Sequence, residues 1–226
     1  MANNFDLQEQ EQLDELKHFW NTWGTPITWV LIIILGGFAA WNGYQLWQSR
    51  QAQQATALVE AVELAAQSGD LARVEQAVGD LKSGYGGTIQ AGQAGLLAAK
   101  ALADAGKWDA AKGVLAWVAD KASDEGYMAL ARLRLAGVLI EEKAYDEALA
   151  QLSARFPAEF AGAVADRKGD VLALQDKKQE AIAEYRRAYQ ALDAGIEYRR
   201  LVEAKLNALG AQVETVASAA AAGGAQ

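Results

Sequence analysis

The chain has 226 residues, with 21 basic against 29 acidic side chains for a net charge of −8, and it contains two prolines, one histidine and no cysteine. That inventory excludes disulfides, thiolate zinc sites and cysteine nucleophiles, and with His18 as the sole histidine it excludes a Ser-His-Asp triad or a polyhistidine metal site in any later domain. Lysine and arginine are scattered among carboxylates rather than clustered, so no nucleic-acid partner is expected.

Residues 1–25 read as an acidic leader, in which Asp6, Glu9, Glu11, Asp14 and Glu15 stand against Lys17 alone. Phe5, Leu7, Leu13 and Leu16 are spaced like one face of a short helix. Asn21, Thr22, Gly24, Thr25 and Pro26 then predict a break, with Thr25 as a helix cap and Pro26 in the first turn of the next element. That element, Ile27 to Trp47, sits in an uncharged run bounded by His18 and Arg50. As a helix it would be about 30 Å long, the thickness of a hydrocarbon core, where backbone groups must be satisfied internally. Trp20, Trp23 and Trp29 at one end and Trp41, Tyr44 and Trp47 at the other suit the two head-group layers. Residues 26–47 are therefore expected to form one transmembrane helix. A signal peptide would begin with a basic region, so a permanent anchor is the better reading. Charge leaves the orientation open, because Lys17 and the amino terminus flank one end and Arg50 the other.

Residues 48–210 are rich in helix formers and read as a separate repeat domain. The run SRQAQQATALVEAVELAAQ continues the anchor helix without a linker until Ser68-Gly69-Asp70, and LARVEQAVGDL follows as a short second helix. Ser83-Gly84-Tyr85-Gly86-Gly87 ends it; this loop lacks the lysine, the hydroxyl residue and the preceding strand of a phosphate-binding loop. Beyond it a small residue stands twelve places before an alanine three times over: Ala99 and Ala111, Ala136 and Ala148, Gly169 and Ala181. The alanines recur at spacings of 37 and 33, either side of the roughly 34 residues of a tetratricopeptide repeat. Leu102, Leu139 and Leu172 follow the first members in phase, Leu115, Leu152 and Tyr185 follow the second, and polar turns fall at 105–109, 142–146 and 175–179. The small residues predict places where paired helices cross closely, and the large ones fill the space beside each crossing. A degenerate unit around Gly69 has Val74 in the alanine position, and Glu197 to Leu209 reads as a capping helix. Residues 211–226, mostly alanine and glycine, are expected to be a disordered tail. The expected class is all-α: a single N-terminal transmembrane helix followed by a tetratricopeptide-like solenoid of helical hairpins.

This order of parts resembles the YfgM family, the ancillary subunits of the SecYEG translocon. The resemblance is carried by EQEQLDELKHFW before the span, GFAAWNGYQLWQSRQ at its exit, and ALARLRLAGVLIEEKAYDEALAQL and VADRKGDVLALQDKKQEAIAEYRRAYQAL in the repeats. It implies a bitopic protein of the bacterial inner membrane with a cytoplasmic amino terminus and a periplasmic repeat domain. It also implies, as partners, Sec translocon subunits and the periplasmic chaperones that receive emerging chains.

In such stacks the first helix of each hairpin lines the concave wall. The candidate partner-binding residues are then Gln93, Leu96, Lys100 and Asp104, next Leu133, Gly137 and Glu141, next Asp166, Asp170 and Leu174. Trp108, Trp117 and Tyr145 are expected in the packed interior rather than on the binding face. Asp166 with Asp170, and Glu142 with Asp146, lie one helical turn apart, a spacing open to acid–base or metal chemistry but equally ordinary on a charged helix face. The expectation is a non-enzymatic scaffold without cofactor or metal. Self-association through the helix that enters the repeat domain is a further possibility. The rival reading is a membrane-tethered regulator acting through its acidic leader.

Overall fold

The computed structural model describes residues 7–193 and 195–211, with side chains from residue 13 onward, and every regular element among the described residues is helical. In order these are α1 (Leu7–Ser68), α2 (Leu71–Gly84), α3 (Ile89–Asp104), α4 (Trp108–Lys121), α5 (Glu125–Glu141), α6 (Tyr145–Leu152), a 3-10 turn (Ala158–Phe160), α7 (Ala161–Leu174), α8 (Lys178–Ala191) and α9 (Glu197–Ala208). The expected all-α class holds. The chain divides into two units at Gln51 and Ala52. The expected tail lies outside the described residues except for Ala211, which is buried.

Within the first unit, α1 runs through Asn21–Pro26 instead of breaking there. The expected break, with Thr25 as a cap, is thus corrected. Pro26 removes the amide donor that would reach the Thr22 carbonyl four residues back, and the helix continues with that one bond missing. Thr22 Oγ1 and Thr28 Oγ1 donate to other carbonyls, those of His18 at 2.9 Å and Gly24 at 2.7 Å. The helix is long and apolar enough to cross a membrane, and only 6% of its most apolar window is buried. A core helix of a soluble domain would be mostly covered; here Trp29 through Leu35, Phe38 and Trp41 all stand open.

The second unit begins at Ala52 and is a series of antiparallel pairs: the end of α1 with α2, then α3 with α4, α5 with α6, and α7 with α8, closed by α9. Each first helix also packs on the next first helix, α3 on α5 and α5 on α7. Three starts are capped by a side chain: Asp70 accepts from Arg73 N–H, Thr88 from Ala91 N–H and Asp124 from Tyr127 N–H. The turn inside each hairpin repeats one design. Gly69, Gly106, Lys143 and Asp176 adopt positive φ of 73°, 76°, 61° and 59°, and the next amide, of Asp70, Lys107, Ala144 or Lys177, bonds the carbonyl of Ala65, Leu102, Leu139 or Leu172 at 2.8–2.9 Å. This closure takes up carbonyls that the helix end leaves unpaired and sends the chain back antiparallel. Val62, Val74, Leu81, Leu102, Val118 and Leu152 fill one continuous core, and Leu172, Ile182, Tyr185, Val202 and Leu206 a second one beneath α9. Val62 and Val74, twelve apart like the later pairs, are both fully buried.

Candidate functional site

The small residues sit at the centre of each hairpin. Ala111, Ala136, Ala148 and Ala181 are 0% exposed and Ala99 is 2% exposed. Gly169 faces the Tyr185 ring so closely that a Cβ there would lie 2.5 Å from two ring carbons. Further close approaches fall where the sequence spacing gave no signal. A Cβ on Gly95 would overlap Val118, and one on Gly162 would lie 2.8 Å from Leu192. Neither glycine belongs to the twelve-residue pairs; the only clue was glycine inside an otherwise strong helical pattern.

The candidate partner-binding residues separate into three groups. Gln93, Lys100, Asp104, Glu141 and Leu174 are exposed on the first helices, and Leu133, Gly137 and Asp170 are half-buried. Leu96 is 5% exposed and Asp166 1%, so neither reaches a partner. Leu96 turns into the core beneath α3, and Asp166 is closed off by α9.

That closure is an ion cluster. Lys205 Nζ of α9 lies 2.8 Å from both oxygens of Asp166 and 2.7 Å from Asp170 Oδ1. The Tyr185 hydroxyl donates to Asp170 at 2.8 Å, and the Tyr198 hydroxyl donates to Asp166. Burial, reinforced by the bonds to these carboxylates, pushes both phenol hydroxyls above the usual tyrosine range. The two carboxylates therefore serve α9 and are not an open acid–base pair. Glu142 and Asp146 do not converge either: Glu142 pairs with Lys112 at 2.8 Å, and Asp146 accepts from Gln175 at 3.4 Å. No group of three or more metal-ligating side chains occurs among the described residues.

Two open grooves border the first helices. One, of about 580 Å³, lies between the end of α1 and α3, with Glu63, Leu97, Lys100 and Asp104 on its walls. The other, of about 440 Å³, is bounded by α3, α4, α5 and α7. Leu115 and Val138 lie along its walls with Gly137, and Lys100, Arg134 and Arg167 stand around it against a single acid, Glu141. Trp108, expected in the interior, is 46% exposed and lines this groove. It is the first residue of α4, next to the polar turn, where the chain has not yet entered the core. Trp117 and Tyr145 are partly buried against the core, as expected.

A family model described as a tetratricopeptide repeat-like domain matches residues 17–211. A protein of Neisseria gonorrhoeae named as an ancillary SecYEG translocon subunit is 36% identical over 207 residues, 90% of this chain and 98% of that protein. One of Haemophilus influenzae with the same name is 24% identical over 194 residues, 83% of this chain and 91% of the relative.

Proposed function

The chain belongs to the family of ancillary SecYEG translocon subunits, built on a tetratricopeptide repeat-like domain, and from that premise we propose a non-catalytic scaffold of the bacterial inner membrane. In this reading the apolar part of α1 crosses the membrane once, the acidic leader is cytoplasmic and the repeat domain is periplasmic. The repeat domain binds translocon subunits and passes emerging chains to periplasmic chaperones, without chemistry. The observation that carries the reading is the likeness to the Neisseria protein over nearly the full length of both chains, span and repeats together. The exposed face of α3, α5 and α7, with its mixture of apolar and charged groups, supports it as a surface for protein segments. Anchoring beside a channel raises the local concentration of the domain, so modest affinity suffices.

Affinity purification of the full chain from membranes in mild detergent tests this. Translocon subunits should co-purify above a control that carries an unrelated anchor, and periplasmic chaperones should follow when the complex is crosslinked first. Absence of translocon subunits under both conditions would remove the proposal.

A further inference from the structure

We propose that the repeat domain opens at one junction: the last hairpin with its cap, α7 to α9, swings from the three hairpins before it about residues 153–160. The motion belongs to the domain itself and holds whichever partner the repeats bind. Apolar burial is what joins stacked repeats, and the second helices supply it unequally. α2, α4 and α8 have 14 residues each, whereas α6 has 8. α6 accordingly buries only Ala148, at its own hairpin's crossing, and Leu152 one turn further on. α4 buries Ala111, Val114, Leu115, Val118 and Ala119 and packs along α5. The short helix thus leaves little apolar surface for α7. The core divides at the same place: Val164 and Val171 of α7 belong to the first core, while Ala165 and Leu172, next to them in sequence, belong to the second.

Where α6 stops, the chain runs through residues 153–160, with Pro157 leading into the 3-10 turn, although 85–88 and 122–124 suffice at the two junctions before it. Arg132 Nη1 donates to the Arg155 carbonyl at 3.1 Å, which keeps the start of this stretch with α5. Phe156 and Phe160 lie partly buried on the first core, so side chains of a loop, rather than of a helix, cover it here. Polar links fall off at the same junction. One joins each second helix to the turn of the next hairpin: Glu75 with Lys107 at 3.1 Å, Lys112 with Glu142 at 2.8 Å, and Asp146 with Gln175 at 3.4 Å. The first two are ion pairs. The third relies on a neutral amide, whose Oε1 is buried with no donor among the described residues. Exposed ion pairs add little each, so the small apolar burial of α6 is the larger effect and the polar links run with it. Opening here wets Val164 and Val171 without unpacking either core, a sub-global motion that costs less than unfolding.

The chain has no cysteine, so an introduced thiol reports on one place alone. In the full chain in mild detergent, Val171→Cys sets a buried thiol at the junction, Val118→Cys sets one in the first core and Ile182→Cys one in the second. Towards a small aromatic disulfide reagent, the Val171→Cys protein should react at least about tenfold faster than the other two. Val164→Cys serves as the junction reporter should Val171→Cys melt early. Adding Phe156→Ala should speed the junction thiol and leave the Val118→Cys and Ile182→Cys rates unchanged. Adding Gln175→Lys, which gives Asp146 the cation that the two earlier junctions have, should slow it. Equal rates at the three positions overturn the proposal. So does an Ile182→Cys protein that reacts as fast as Val171→Cys, since the last hairpin then unfolds instead of swinging. A junction thiol indifferent to both Phe156→Ala and Gln175→Lys overturns it as well, because the opening that reaches the thiol then lies elsewhere.

Discussion

Gly169 and Gly137 are both glycines inside helices, and the fold treats them oppositely. Gly169→Ala drives a methyl into the Tyr185 ring, and the ring cannot swing away because its hydroxyl is fixed to Asp170. The expected loss is about 1–3 kcal/mol, as for other overpacked sites, read from denaturant midpoints of the detergent-solubilised chain. Gly137→Ala meets nothing and should match or slightly exceed native stability. A second residue effect lies in the hairpin turns. Lys143 and Asp176 hold the left-handed conformation that Gly69 and Gly106 hold in the first two turns. Replacing either with glycine should stabilise by about 1 kcal/mol, since the Cβ clash vanishes while the closing bonds remain; equal or lower midpoints would show that their side chains contribute more than their strain removes. The place of these turns was readable from the polar residues between apolar runs. Their handedness was not, because two of the four lack the glycine that announces it.

Among elements, α9 is held by a mixture of apolar burial and charge. Val202 and Leu206 are buried beneath it, and Lys205 between them enters the carboxylates of α7. Lys205→Met would leave Asp166, 1% exposed, without its cation, at a cost on the order of 3 kcal/mol. Adding Asp166→Asn should recover part of that loss, and a double-mutant cycle read by urea denaturation checks the coupling. Alkali acts on the same place. Burial and the carboxylate bonds raise the Tyr185 and Tyr198 hydroxyls in the folded state, whereas the unfolded chain titrates near about 10. Below that pH both states keep the protons and the contribution is full; above it the unfolded chain releases them first, so stability falls as pH rises. Denaturant midpoints should drop above roughly pH 10, and less so in Tyr185→Phe; parallel curves for the two proteins would disprove the link. The hairpins were legible because each crossing rests on two small residues a fixed twelve positions apart. The ion cluster was not, since Lys205 lies 39 residues from Asp166 and no helical spacing connects them. For the same reason Asp166 looked like part of an open wall, and only the packing of α9 removes it from that surface.

For the whole molecule, composition settled what chemistry to exclude, and one uncharged run marked the apolar helix, yet neither could orient it. The charges at the two ends nearly balance, so the positive-inside preference has little to act on, and Pro26 sent a break signal that the helix overrides. Orientation decides which partners are physically reachable: a repeat domain on the far side meets chains leaving the channel, and one on the near side meets them before entry. The absence of cysteine makes the measurement clean, because an introduced thiol is the only one in the protein. In spheroplasts, Ser218→Cys should react with a membrane-impermeant maleimide without lysis, while Asn3→Cys should react only after the membrane is opened. The reverse pattern would place the repeats in the cytoplasm and end the link to periplasmic chaperones. Labelling of Asn3→Cys and Ser218→Cys alike in intact spheroplasts would mean the apolar helix does not span. Deleting residues 1–16 separates the repeats from the acidic leader as the binding element. If the repeats do the binding, co-purification with translocon subunits should survive that deletion; if it is lost while the protein still inserts, the acidic leader is the binding element and the repeats have another task.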